Sequence, residues 1–381
     1  MIRLNEDHQQ IREVVASFSD NELWPGAPAI DKDQRFPTAA LAQLAELGVL
    51  GIPVSSEHGG ADGDLLMLTL VLEELARGCA ATSVVVATHA AAALAIRQTG
   101  SAEQQAMYLS GVASGDTVAT LVLAQVRSGG KGSEAPCLAT PDGDDWLLDG
   151  SAKFVIGASE AGLYVVFART PEARGGDCHA FAIAGGASHP GVRIERVEDM
   201  LGLRGGRFAE VVFDGCRIPG SAVLGAGRPV NEALSTVVAG TRIAAAAIAT
   251  GVARRAIDYA RQYAGERRAF GKSIDRFEAI RNLFADAVTG TEAGALLAYR
   301  AAYLADQKQS FDAEASMAKL YCTEAAYRTT KSCVQILGGN GFSREYPVER
   351  MYRDAESLEV LEAQASVQRR VIAARLLEGI S

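Results

Sequence analysis

Residues 335–355 read QILGGNGFSREYPVERMYRDA, and residues 356–370 continue ESLEVLEAQASVQRR. The first part opens on the pair Gly338-Gly339. The second holds Glu362 between Leu361 and Ala363, with Gln364 and Ala365 following. Each feature has two local readings. A Gly-Gly pair after a helical pattern is a C-cap, or a place where backbone lies against something bulky because no Cβ intervenes. Glu362 is an exposed carboxylate near a helix start, favoured by the helix dipole, or a desolvated carboxylate of raised pKa suited to proton abstraction. The choice depends on what surrounds the stretch.

Upstream of it the chain is helical. NEALSTVVAGTRIAAAAIATGVARRAIDYARQYAGER, DRFEAIRNLFADAVTGTEAGALLAYRAAYLADQ and DAEASMAKLYCTEAAYRTTKSCVQILGG carry apolar residues at helical spacing, and SVQRRVIAARLLEGI adds a fourth segment. Four amphipathic helices with short links predict a four-helix bundle over 226–381. The preceding region differs. TVATLVLAQ, DWLLDGSAKFVIG, LYVVFART, CHAFAIAG, VRIERVE and FAEVVFDGCRIP are short, rich in Val, Ile and Phe, and separated by Gly, Asp and Pro. That pattern predicts an antiparallel β domain, barrel or sandwich, over 116–225. Residues 1–115 return to helical spacing. Ile11, Val14, Val15 and Phe18 lie on one face, Pro25 closes that element, and Ser101 with Gln104 forms a capping pattern. The predicted fold class is α+β multidomain: an all-α domain, a β domain, then a helical bundle.

The 381 residues are 48% hydrophobic and 22% charged with a net charge of −9, which suits a folded chain of two or three domains. The acidic balance argues against a nucleic-acid partner. Cys79, Cys137, Cys178, Cys216, Cys322 and Cys333 form no CxxC pair, and the five His show no metal-ligand spacing, so neither a disulfide framework nor a metal site is expected. The charged start MIRLNEDHQQIREVV has no apolar h-region, and no stretch reads as an uninterrupted membrane span; a cytoplasmic protein is expected.

The α–β–α order and two motifs resemble the acyl-CoA dehydrogenase family. The motifs are ERRAFGKSIDRFEAIRNLFADA (266–287) and QILGGNGFSREYPVERMYRDA (335–355); EHGGADG (57–63) and EDMLGLRGG (198–206) also look like family segments. The resemblance covers nearly the whole chain and implies FAD as cofactor, with part of its site supplied by a neighbouring subunit. It places Arg267 and Phe270 at the FAD pyrophosphate and adenine region, and Gln335, Gly338 and Gly339 against the adenosine part. An Arg fork suits a diphosphate. Counted in register from RDA, Glu362 takes the position of the family's catalytic base. That base removes the α-proton of an acyl thioester while a hydride leaves the β-carbon for the flavin. Ala124, Phe154, Val155, Ile156, Gln364 and Ser366 fall at the family's remaining flavin contacts. Arg242, in GTRIAAA, matches an Arg near the thioester tunnel; a helix salt bridge explains it equally well.

The chain also departs from the family pattern. Glu362-Ala363-Gln364 replaces Glu-Gly-Thr, Ala124 replaces a Thr, and Phe154-Val155-Ile156 replaces Trp-Ile-Thr. The lost hydroxyls leave backbone N–H groups as the flavin donors. Such divergence resembles members that act on acyl chains bound to a carrier protein. The expectation is therefore an FAD-dependent dehydrogenase of acyl-CoA or acyl-carrier-protein thioesters. It would be a homotetramer, reoxidised by electron-transfer flavoprotein. A non-catalytic partner subunit is the alternative.

Overall fold

The computed structural model describes residues 4–123, 137–170, 177–361 and 363–377. Six helices come first: α1 (Glu6–Phe18), α2 (Trp24–Asp33), α3 (Thr38–Glu46), α4 (Leu65–Gly78), α5 (Ala80–Thr99) and α6 (Ala102–Ala113). The Ser101 capping box is formed: Ser101 Oγ accepts from Gln104 N–H, and the Gln104 side chain accepts from Ser101 N–H. Eight strands follow among the described residues, β1 (Ala119–Leu123), β2 (Leu138–Asp142), β3 (Asp145–Val155), β4 (Leu163–Arg169), β5 (Cys178–Ala184), β6 (Val192–Val197), β7 (Ala209–Ile218) and β8 (Val223–Leu224). The rest is helical except for a two-residue hairpin: α7 (Asn231–Glu266), β9 (Arg268–Ala269), β10 (Lys272–Ser273), α8 (Glu278–Asp306), α9 (Asp312–Leu337), α10 (Val348–Val360) and α11 (Ala365–Leu377).

The three-part plan holds, and two details add to it. The sheet runs β6-β7-β3-β2-β4-β5-β8 and is mostly antiparallel, but β1 pairs with β4 in parallel, Ala119 opposite Leu163 through Leu123 opposite Phe167. The C-terminal part holds five described helices rather than four. The extra one, α10, carries Val348, Met351, Ala355 and Leu358 on one buried face.

Helices α5 and α7 have the length and hydropathy of a membrane span, contrary to the sequence reading. They are buried within the core instead, because other helices and the sheet cover them on most sides. Their small residues set how closely they pack. A Cβ at Gly251 of α7 would lie 2.1 Å from the Glu73 carbonyl oxygen of α4, so that crossing requires glycine. Beside it, Glu73 is buried against Arg254, accepts from Tyr299 Oη at 2.5 Å and lies 3.6 Å from Arg12. The cluster ties α1, α4, α7 and α8 together. Burial pushes the Glu73 carboxyl up, and the Arg254 cation opposes this.

His89 of α5 joins the helical layer to the sheet. Its Nδ1 accepts from the Ala119 N–H at 3.1 Å, which leaves Nε2 to donate to the Val112 carbonyl at 3.2 Å. Burial lowers its pKa to about 4, so the ring is neutral and holds one tautomer.

Candidate active site

The β domain and the helices meet around a cavity of about 500 Å³. Leu121 and Leu123 of β1 and the end of β3 form one wall. Val84, Ala87 and Thr88 of α5, and Thr241, Ala244, Ala245 and Ile248 of α7, form the other. Ser357 and Val360 of α10, then Leu361 and Gln364, close the third side.

Each wall has a local cause. The β3–β7 register shifts between Ala152 and Val155, and Phe154 takes a left-handed φ of +58°. This bulge pushes Lys153 and Phe154 out of the ladder and turns them to the cavity rim. The loop 198–206 is docked on α10 by three bonds. Gly202 N–H donates to Ser357 Oγ at 3.0 Å, Leu203 N–H to Asp354 Oδ1 at 2.6 Å, and Arg353 Nη1 to the Leu201 carbonyl at 2.9 Å. A Cβ at Gly202 would sit 2.3 Å from the Arg353 carbonyl oxygen, so the docking depends on glycine. It carries Met200 into the cavity wall. Burial holds the Asp354 carboxyl up at about 6, against the Leu203 hydrogen bond and nearby Arg350, which lower it.

Leu361 and Gln364 are held from behind. Lys319 of α9 is fully buried, and its Nζ donates to the carbonyls of Glu359 at 2.7 Å and Ala363 at 2.9 Å. Gln368 Nε2 lies 3.4 Å from the same Ala363 oxygen. Ala363 itself sits at φ +77°, a strained conformation for a residue with a Cβ. These contacts secure the chain on both sides of position 362.

The expected site residues divide into groups. Phe154, Val155, Ile156 and Gln364 line the cavity. Glu362 and Ala124 lie outside the described residues. Ser366 is exposed at the start of α11 and does not line the cavity. Arg242 turns to the other side of α7, where Nη1 donates to Asp312 Oδ1 at 2.6 Å and to Ser316 Oγ at 3.1 Å. Its neighbour Thr241 faces the cavity.

Arg267, Phe270, Gln335, Gly338 and Gly339 gather at the far end of α7, and all five are exposed. Arg267 is the C-cap residue of α7. Phe270 and Gly271 both have positive φ, +48° and +82°, and turn the β9–β10 hairpin. Phe270 is 96% exposed and meets Phe277 edge to face. Gly338 ends α9 at φ +60°, and a Cβ at Gly338 or Gly339 would meet nothing within 4 Å. Close packing falls on Gly341 instead, whose Cβ would lie 2.4 Å from the Val334 carbonyl oxygen. Asn340 Nδ2 donates to Tyr263 Oη at 2.9 Å and fixes this segment to the last turns of α7.

Sequence reasoning singled out the segment that holds Met200 without giving that residue a role, and it missed Lys319 and the α5 lining. Lys319 did leave a signal, a lone cation in the otherwise uncharged run ASMAKLYC.

The cavity suits a largely apolar ring system. Two strands and two helices give it facing walls, the threonine and serine hydroxyls are few, and no carboxylate lines it among the described residues.

Sequence profiles of the acyl-CoA dehydrogenase N-terminal, middle and C-terminal domains match residues 5–116, 128–216 and 231–377. The mitochondrial short-chain specific acyl-CoA dehydrogenase of Bos taurus is 37% identical over 381 residues, 99% of this chain and 92% of the relative. The short-chain specific acyl-CoA dehydrogenase of Clostridium acetobutylicum is 34% identical, covering 98% of both. Among solved structures, butyryl-CoA dehydrogenase from Megasphaera elsdenii superposes with a TM-score of 0.93 at 29% identity, over 99% of this chain and 100% of that one.

Proposed function

The chain belongs to the acyl-CoA dehydrogenase family, and from that premise we propose that it removes two hydrogens from an acyl thioester, with Glu362 as the base. It is an FAD-dependent oxidoreductase. FAD supplies the hydride acceptor for the β-carbon. The protein supplies the base for the α-proton and a dry slot around both carbons. The observation that carries this reading is the cavity itself. Leu361 and Gln364, which flank position 362, line the same space as Phe154–Ile156 and the α5 and α7 faces. A carboxylate entering that apolar space has its pKa raised toward neutrality, as a base working near pH 7 requires.

Phe154, Val155, Ile156 and Gln364 would hold the flavin ring end. Arg267, Phe270, Gln335, Gly338 and Gly339 would hold an adenine end, but not of the same molecule. At the α-helical rise, Arg267 lies roughly 39 Å along α7 from Thr241, so one FAD in the cavity does not meet both groups. The remote group therefore serves a second subunit's cofactor, which supports a homo-oligomer. Val288, Leu296 and Tyr303, seven or eight residues apart, put an exposed apolar stripe on α8. A homotetramer is the assembly proposed, with electron-transfer flavoprotein as the acceptor. The thioester carrier is coenzyme A or an acyl carrier protein.

The test is flavin absorbance in the purified protein, followed by thioester-dependent dye reduction by wild type and Glu362→Gln. Colourless protein that takes up no FAD sinks the proposal. Near wild-type turnover by Glu362→Gln removes Glu362 from the role of base. One acyl chain offered on both carriers separates them by kcat/KM.

A further inference from the structure

Helix α5 is closed over most of its length, but Ala87 and Leu94, seven residues apart, remain partly open. They open onto a second cavity of about 340 Å³. Leu65 and Leu68 of α4, Ala91 of α5, Val237 of α7 and Phe311 give it apolar walls. No described residue of the sheet lines it, so it lies across the α5–α7 contact from the described β domain.

The two cavities share a wall. Ala87, Thr241 and Ala244 line both. The partition is thus made of small side chains, and a Cβ at adjacent Gly240 would meet nothing within 4 Å. The charged groups at the rim are already engaged. Asp62 lies 3.7 Å from Arg97, Asp64 accepts from His8 at 2.9 Å, and Asp306 accepts the Leu65 and Leu66 N–H groups at 2.8 and 3.0 Å. What the interior offers an occupant is apolar surface.

We propose that the second cavity receives the distal end of the acyl chain. The substrate class is then a thioester whose alkyl chain runs well past four carbons, with Ala87 and Ala244 setting the reach. This rests on the dehydrogenase reading and deepens it, and it departs from the short-chain names of the relatives.

The test uses S-alkyl pantetheine thioethers, which cannot be oxidised at a thioester and share the arm common to both carriers. Four-, eight- and twelve-carbon probes are titrated calorimetrically into the FAD-loaded protein. Affinity should rise about four-fold per added methylene beyond the fourth carbon, as apolar burial predicts. Ala91→Leu, which narrows the second cavity alone, should leave the four-carbon probe within about three-fold and weaken the twelve-carbon probe by more than roughly ten-fold. Leu94→Phe, which narrows the same cavity from the next turn of α5, should reproduce the loss and guards against a folding defect in the first variant. Affinity flat beyond four carbons overturns the proposal. So does Ala91→Leu weakening every probe equally, which would put the cavity on the carrier's path. Wild-type protein that binds the long probes yet oxidises no thioester would sink the dehydrogenase reading and leave the chain-length result standing.

Discussion

Lys319 Nζ lies 2.9 Å from the carbonyl oxygen of Ala363, and its ammonium also meets the Glu359 carbonyl at 2.7 Å. A buried ammonium loses water, and here the Glu359 carbonyl in the last turn of α10 and the Ala363 carbonyl beyond that helix replace it, with the helix dipole adding to the attraction. The arrangement braces the segment that carries the proposed base.

Lys319→Met keeps the side chain's bulk and removes both donors. The Glu359 carbonyl loses its side-chain donor and the Ala363 carbonyl keeps only the long contact to Gln368, which should lower stability by about 3 kcal/mol. With thioester substrate, kcat should fall at least roughly ten-fold while KM changes little, because the base loses alignment more than the substrate loses contacts. Denaturant melts and steady-state kinetics read the two effects. A stability loss with unchanged kcat would reduce Lys319 to scaffolding.

Asp354 provides a pH signature. Its carboxyl titrates at about 6 in the folded protein, against an ordinary 3.8. Between those values the folded state keeps a proton that the unfolded chain gives up. Stability from this group therefore falls as pH rises through the window, by about 3 kcal/mol in all. Asp354→Asn mimics the protonated form and still accepts from Leu203. Relative to wild type it should gain stability between about pH 4 and pH 7, with other carboxylates cancelling in the difference. Denaturant midpoints at both ends check this. A difference that does not move with pH would mean that Asp354 is not protonated when buried.

The three-part plan was legible because hydrophobic period changes along the chain, from helical to alternating and back. The β1–β4 pairing was not. A parallel pair joins segments some forty residues apart, from Ala119 to Leu163, and leaves no local turn signal. Phe154–Ile156 and Gln364 reach the cavity because motif register carries position. Arg242 shows the limit of register: its partner Asp312 is seventy positions away. The second cavity was invisible for another reason. A void is what Ala87 and Ala244 leave unfilled, and alanine in a helix looks the same beside a cavity as beside a neighbour.

The Glu73 cluster should be the most damaging place to cut the interior. Arg254→Met leaves Glu73 buried with Arg12 and Tyr299 but without its nearest cation. Breaking such a buried pair costs about 3–5 kcal/mol. Glu73→Gln in the same chain should return part of that loss, since no bare charge remains. The double-mutant cycle, read by thermal or denaturant unfolding, gives the coupling. Additive single effects would show that Arg254 and Glu73 act independently.

Phe270 separates folding from cofactor retention. Its ring is 96% exposed on a hairpin turn, so Phe270→Ala removes little from the core and should change monomer stability by no more than about 0.5 kcal/mol. If the ring covers the adenine end of a neighbour's FAD, its loss should weaken flavin binding by roughly ten-fold or more, since a stacked aromatic contributes one to several kcal/mol. The far-end placement makes a second demand. The loss must follow the subunit that donates the ring rather than the one that holds the flavin. Mixed oligomers of Phe270→Ala subunits and subunits altered in the cavity at Gln364 can show this, with flavin absorbance after gel filtration as the readout. Retention that tracks the altered chain itself would place Phe270 and the cavity on one cofactor, against the distance along α7.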